Sequence, residues 1–382
     1  MYASRMSNLP PYLFARIDEM KAEQRKLGVD LIDLAVGDPD LATPAHIVDA
    51  LCAAAKDSKN HHYPDYAGMP EYRSAVAGWY KKRFGVTLDA GKEVVALMGS
   101  KDGIAHIAEA FVNPGDYVLA PSPGYPVYRT GTLFAEGRVH DMPLTRENNF
   151  IPVLEDIPKK VAQAAKIMYI NYPNNPTAAV APEGFYKEVV DFATGNDIIV
   201  VSDNAYSEVS FDGYKAPSFL QTKGAMEVGI EMHSLSKTYN MTGWRIGMAV
   251  GNAEVIAGLG RVKTNVDSGV FDAVQRAAIV ALSGPQDCVK EACRTYQERR
   301  DVLVKGLQGL GFDVPMPKAT FYVWVPVKDC MAFSGRLLTE AGIVATPGIG
   351  FGASGDGYVR FAITRPVARI QEAIERMRKM KL

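Results

Sequence analysis

Seven short, apolar, β-rich runs separated by helical patterns constrain this chain more than any other feature. They are "EVVALMG" (93–99), "YVLAPS" (117–122), "RVHDMPL" (138–144), "KIMYINY" (166–172), "DIIVVSD" (197–203), "IEMHSLS" (230–236) and "RIGMAVG" (245–251). Stretches such as "IIVV" lack polar alternation and so fit strands covered on both faces, while patterns such as 182–194 supply the helices that parallel crossovers need. The expected fold is α/β: one large three-layer domain over 42–275, built on a seven-stranded, mostly parallel sheet. Past about residue 285 the texture changes. A charged amphipathic helix pattern (289–310), strands "FYVWVPV" (321–327) and "YVRFAIT" (358–364), and a helix pattern over 366–380 read as a smaller α+β domain, 276–382. Residues 1–41 are expected to form an N-terminal arm that packs on this second domain and completes it.

A chain of 382 residues has room for a sizeable core. With 42 basic against 43 acidic residues, and no run of like charge, it carries no electrostatic footprint for nucleic acid or a membrane surface. No stretch approaches about 18 uninterrupted apolar residues, and the start lacks the apolar core of a signal peptide. The expectation is a soluble cytoplasmic protein acting on small molecules. Cys52, Cys288, Cys293 and Cys330 form no CxxC pair, which fits reduced thiols. His61 and His62 are adjacent and no HExxH occurs, so no metal site is expected.

Ligands of open α/β sheets bind outside the carboxyl ends of the strands, so the residues following each run carry the chemistry. After "EVVALM" comes Gly99-Ser100-Lys101-Asp102-Gly103, opening the helical pattern "IAHIAEAF". Its free N–H groups and Lys101 could hold an anion, although such a turn is also an ordinary loop. "KIMYIN" leads into "YPNNPT" (172–177), and "DIIVVS" leads into "DNAY" (203–206). If buried, Asp203 needs a cation or proton donor; otherwise it caps the next turn. Lys237 follows the next run, so an amine and a carboxylate could share one sheet edge. A desolvated lysine is partly neutral and can attack a carbonyl, forming an imine. Pyridoxal 5′-phosphate asks for four groups together: an amine, an acid for its ring nitrogen, an aromatic face and a phosphate cup. Each has a candidate here.

The stretch "HSLSKTYNMTGWRIG" (233–247), with "YPNNPT" and "DNAY", resembles the class I/II aminotransferases of the fold-type I pyridoxal-phosphate enzymes. The likeness runs in matching order from "DLAVGDPD" through "YPDYAGMPEYRSAV", "PSPGYPVY" and "NNPT" to "GYVRFAIT". It implies amino-acid and 2-oxo-acid substrates. It also implies that Lys237 carries the cofactor's aldehyde, that Asp203 pairs with the pyridine nitrogen, and that Asn175 and Tyr206 hydrogen-bond the ring oxygen. Tyr125 would stack on the ring, while Ser100, Lys101, Ser234, Ser236 and Arg245 would hold the phosphate. Lys237, Asp203 and Tyr206 would be the catalytic set. Arg360 matches the arginine that grips the substrate α-carboxylate, a planar bidentate task that lysine performs less well. Gly37 matches a glycine that lets backbone approach that carboxylate, with Asn175 beside it. Tyr63 matches a tyrosine lent to the phosphate by the other subunit, which implies a homodimer with shared active sites.

Within the family, "LPPYLFARID", "GSKDGIAH", "NYPNNPT" and "NVDSGVFDAVQ" are most similar to the LL-diaminopimelate aminotransferases, which move an amino group between glutamate and tetrahydrodipicolinate in lysine biosynthesis. Two departures stand out: Ala178 replaces the usual glycine after Asn-Pro-Thr, and the "YPDYAG" loop lacks a glutamate that some members direct at the distal amine. An alanine, aspartate or aromatic aminotransferase, or a lyase using the same cofactor, would keep the same core residues. The GxGxxG match at 350–355 leads into a strand pattern rather than opening a helix, which argues against a nicotinamide-dependent dehydrogenase. A cofactor-sensing regulator would need a DNA-binding domain, and no basic segment is spare.

Overall fold

The computed structural model describes residues 2–7, 9 and 13–380; Asn8 and Pro10 to Tyr12 of the expected N-terminal arm lie outside the described residues. In chain order the strands are β1 (Ile32–Asp33), β2 (Val94–Leu97), β3 (Tyr117–Ser122), β4 (Arg138–Pro143), β5 (Ala165–Ile170) and β6 (Ile199–Asp203). They continue as β7 (Gly229–Ser234), β8 (Gly247–Gly251), β9 (Tyr322–Pro326), β10 (Ile343–Val344), β11 (Thr346–Pro347) and β12 (Tyr358–Ala362). Each of the seven apolar runs supplies one strand of a single sheet, in the spatial order β2-β8-β7-β6-β5-β3-β4.

Only β8 runs against its neighbours; the remaining pairs are parallel. The link from β7 to β8 is short and holds only the helical turns Leu235–Thr238 and Thr242–Trp244, too little for a parallel crossover. The chain therefore turns back, and Arg245, two residues before β8, returns to the edge from which Lys237 departs.

Strands β7 and β8 are buried along their whole length, whereas β4, at the rim, is largely open. Helices Ser100–Phe111 and Pro126–Phe134 cover one face, packing Ile104, Ile107 and Val127 against Leu97, Val118 and Ile167. Helices Pro70–Phe84 and Phe185–Asn196 cover the other with Tyr72, Trp79, Phe185 and Val189. Fully burying such a side chain contributes roughly 1.5–3 kcal/mol, so the two apolar layers hold the sheet as a rigid platform.

Strands β11, β12 and β9 form a separate antiparallel sheet. Helices Asp287–Gly309 and Val367–Arg378 pack on it through Leu303, Leu307, Ile370 and Ile374. The chain's beginning joins this unit: β1 pairs parallel with β10, the Leu34 N–H donates to the Val344 carbonyl (2.8 Å), and the Ala362 N–H donates to the Leu34 carbonyl (2.7 Å). That anchorage delivers Ala35 to Gly37 to the edge of the large sheet. The GxGxxG segment forms two short 3-10 turns leading into β12, and a Cβ on Gly355 would lie 2.1 Å from the Gly348 carbonyl oxygen. Its glycines thus serve close chain packing, and no helix opens from them. Among the described residues no helix is long and apolar enough to cross a membrane.

Candidate active site

A cleft of about 370 Å³ opens at the carboxyl edge of the large sheet, where Gly37, Ser100, Tyr125, Asn175, Asp203, Tyr206, Lys237 and Arg360 converge. The loop after β5 is held by its own asparagines. The Asn175 N–H donates to Asn171 Oδ1 (2.8 Å), the Thr177 N–H donates to Asn174 Oδ1 (2.9 Å), and Asn171 Nδ2 donates to the Asp203 carbonyl (2.7 Å). These bonds lock the ends of β5 and β6 together and fix Asn175 over the cleft. Ala178 closes the loop at φ 61°, the left-handed region that explains why glycine is usual there.

Asp203 is the last residue of β6 and is buried. Tyr128 donates its hydroxyl to Oδ2 at 2.7 Å. Oδ1 has no hydrogen-bond partner of good geometry among the described residues, although the Ala205 N–H lies near enough to favour the charged form. Burial pushes this carboxyl up to about 6, against the pull of Tyr128, Ala205 and Lys237. Lys237 lies one turn beyond β7 and donates to the Gly37 carbonyl at 3.1 Å. Burial draws its amine down to about 8; Asp38 resists this, while Arg245 and Arg360 add to it. A lysine so placed is a neutral nucleophile or base within reach of ordinary pH.

Arg360, in β12, is buried above the same floor. Nη1 donates to Asn175 Oδ1 and Nη2 to the Ala35 carbonyl, both at 2.7 Å, while Nε is left without a partner. Its guanidinium lies 4.1 Å from the ring centre of Tyr322 and 4.6 Å from that of Phe351, which hold its plane. Its hydrogen bonds go only to neutral oxygens, so the cationic fork is available to an incoming carboxylate. Gly37 has to be small: a Cβ there would lie 2.0 Å from the Tyr322 hydroxyl. That hydroxyl also bonds Tyr206 at 3.1 Å.

Of the remaining residues named from sequence, Ser100 and Tyr125 line the cleft. Ser234 caps the Leu235–Thr238 turn by accepting from the Ser236 N–H, and the Ser236 hydroxyl is buried without a partner among the described residues. Arg245, at φ 55°, donates to the Thr242 carbonyl (2.8 Å) and the Met98 carbonyl (3.3 Å), and so reaches the Gly99-Ser100 turn. A Cβ on Gly99 would lie 2.4 Å from that guanidinium. The Lys101 side chain is exposed and does not line the cleft. Tyr63 is 89% exposed and also lies away from it.

An amine and a carboxyl group thus line one cleft and influence each other electrostatically, with the Ser100 turn in the same lining. A family model described as aminotransferase class I and II matches residues 29–377. The chain belongs to the class I and II aminotransferases. It is 56% identical to an LL-diaminopimelate aminotransferase of Syntrophobacter fumaroxidans, over 99% of this chain and 98% of that one. It is 55% identical to one from Moorella thermoacetica, with the same coverage. Among solved structures, substrate-bound BacF from Bacillus subtilis superposes with a TM-score of 0.97 at 37% identity, covering 100% of this chain and 98% of the other. The aspartate aminotransferase of Thermus thermophilus with maleate gives 0.91 at 30% identity, over 99% and 98%.

Aminotransferases of this family depend on pyridoxal 5′-phosphate, and this aminotransferase has the groups to hold it. The unpartnered Asp203 Oδ1 suits a ring nitrogen, the unpartnered Ser236 hydroxyl and the Arg245 guanidinium suit a phosphate, and the lowered Lys237 amine suits an aldehyde. Sequence reasoning missed Tyr128 and Tyr322. Tyr128 lies one helical turn after Tyr125 in "GYPVY", a spacing that places both on the face turned toward the sheet edge. Nothing local marks Tyr322, which reaches the site across the fold.

Proposed function

We propose that this aminotransferase acts as an LL-diaminopimelate aminotransferase, moving the amino group of glutamate onto tetrahydrodipicolinate to give LL-diaminopimelate and 2-oxoglutarate. The observation that carries this reading is identity of 50–56% over almost the whole chain to relatives bearing that name. Side-by-side assays with LL-diaminopimelate, alanine, aspartate and phenylalanine as donors to 2-oxoglutarate test it. LL-diaminopimelate should have the highest kcat/KM; a higher value for another donor would reassign the substrate.

When bound, pyridoxal 5′-phosphate supplies an aldehyde for the substrate amine and a cationic ring into which carbanion charge spreads. Arg360 grips the substrate α-carboxylate with its fork and so orients the Cα–H bond. Gly37 leaves room for backbone to approach the same group. Lys237, as the free amine, would take the proton from Cα and deliver it to the cofactor's aldehyde carbon, and the second half-reaction would move it the other way. Asp203 holds a proton on the ring nitrogen, and Asn175 and Tyr206 hydrogen-bond the ring oxygen. Tyr125 would cover the ring face, while Ser100, Ser234, Ser236 and Arg245 would hold the phosphate; Lys101, expected beside them from the sequence, turns to solvent instead. Tyr63, fully displayed on this chain, completes the phosphate cup of a second copy, so the working unit is a cytoplasmic homodimer with shared sites. The chain divides into an arm (1–41), a cofactor-binding domain (42–275) and a C-terminal domain (276–382).

Two further outcomes follow. The rate at which cofactor-free protein takes up pyridoxal 5′-phosphate should rise roughly tenfold per pH unit from 6.5 and level off above about 8, as Lys237 loses its proton. Stopped-flow absorbance reads this; a flat profile from pH 6.5 to 9 would contradict the lowered amine. Tyr128→Phe removes a hydrogen bond to the charged form of Asp203 and so raises its pKa further. A charge-assisted bond is worth roughly 1.5–3 kcal/mol, so the cofactor dissociation constant at pH 7 should rise by about tenfold or more. Wild-type affinity by fluorescence titration would remove Tyr128 from the site.

A further inference from the structure

We infer that Asp18 recognises the distal ammonium group of the substrate and is thereby a specificity-determining residue of this cleft; the inference rests on the diaminopimelate reading above. The N-terminal helix Leu13–Lys26 brings Asp18 to the wall of the cleft that holds Lys237 and Arg360. Among the described residues the cleft has two acidic lining groups. Asp203 is buried at its floor, whereas the Asp18 side chain is 67% exposed at its mouth.

The polarity of the cleft follows from this placement. At the floor, Arg360 has its Nε unpartnered and hydrogen-bonds only neutral oxygens, so that end takes the reacting carboxylate. Behind Asp18 and outside the cleft lining, Lys21 pairs with Asp18 at 2.7 Å and with Asp33 at 2.9 Å. One lysine between two carboxylates leaves a negative charge uncompensated. Lys21 and Asp33 are only 9% and 12% exposed, so the carboxylate open to a solute is that of Asp18. Diaminopimelate carries a second ammonium three methylenes from the reacting carbon. With one end held at the floor, its far ammonium needs an anionic partner toward the mouth, and Asp18 is the acidic side chain lining the wall there.

The test compares holoenzyme, Asp18→Asn and Asp18→Glu with two donors: LL-diaminopimelate and L-2-aminopimelate, which has the same chain without the distal ammonium. The readout is the ratio of their kcat/KM values. Wild type should favour LL-diaminopimelate, Asp18→Asn should cut the ratio roughly tenfold or more, the size of a charge-assisted contact, and Asp18→Glu should restore part of it. A purely structural role would lower both donors together and leave the ratio intact. An intact ratio in a wild type that uses LL-diaminopimelate well overturns this inference alone. A wild type that ignores LL-diaminopimelate overturns the inference together with the substrate reading.

Discussion

Lys237→Ala should abolish transamination while leaving the fold in place. In the proposed mechanism the variant loses both the group that carries the cofactor and the base that moves the Cα proton. General base catalysis alone is worth roughly 10²–10⁴-fold, and losing covalent attachment adds to this, so kcat should fall by at least about 10⁴-fold. Stability argues in the same direction. A lysine whose folded-state pKa lies near 8 is charged at pH 7 at a cost to the folded state, a cost present below about 8 that fades as pH rises toward the ordinary value of 10.5. Alanine removes that cost, which offsets the lost packing of the stem, so cofactor-free variant and wild type should melt within a few degrees at pH 7. Near wild-type turnover in Lys237→Ala would sink the assignment of the amine.

Arg360→Ala should weaken both substrates rather than the chemistry. The fork offers two charge-assisted hydrogen bonds to a carboxylate, each worth roughly 1.5–3 kcal/mol, and water recovers part of the loss, so kcat/KM should fall by about 10²-fold for donor and acceptor alike. Removal also leaves Asn175 Oδ1 and the Ala35 carbonyl without their donor, which loosens the loop that carries Asn175. Arg360→Lys keeps the charge but loses the fork and its stacking between Tyr322 and Phe351, so it should recover only part of the activity. Unchanged apparent affinity for both amino acid and oxo acid in Arg360→Ala would move the carboxylate site elsewhere.

Six of the seven strands were legible because their apolar runs are buried on both faces and bounded by turns, and β4, open at the rim, by its place in the same succession of runs and helices. Their spatial order was not, since it depends on pairing between distant segments. The reversed direction of β8 illustrates this: only the shortness of the β7 to β8 link hints at it, yet it brings Arg245 back beside Gly99 and Lys237. Residues that directly follow a strand, such as Asp203 and Lys237, could be read because strand ends fix where they emerge. Residues that reach the cleft sideways could not. Tyr128 meets Asp203 across 75 positions and Tyr322 meets Tyr206 across 116, and no local pattern encodes either contact. Asp18 was hidden for the same reason, since its helix approaches the cleft only after β1 has paired with β10. Lys101 shows the converse: its neighbours mark an anion site, but its own side chain turns to solvent.

The central claim is that Lys237, at the carboxyl end of β7, is the residue that holds pyridoxal 5′-phosphate. Borohydride reduction of the holoenzyme fixes the cofactor where it is attached, and peptide mass mapping then locates it. The expected result is one phosphopyridoxyl group per chain on the peptide containing "HSLSKTYNMTGWR", at Lys237. Stoichiometric label on another lysine, Lys101 included, would contradict the account.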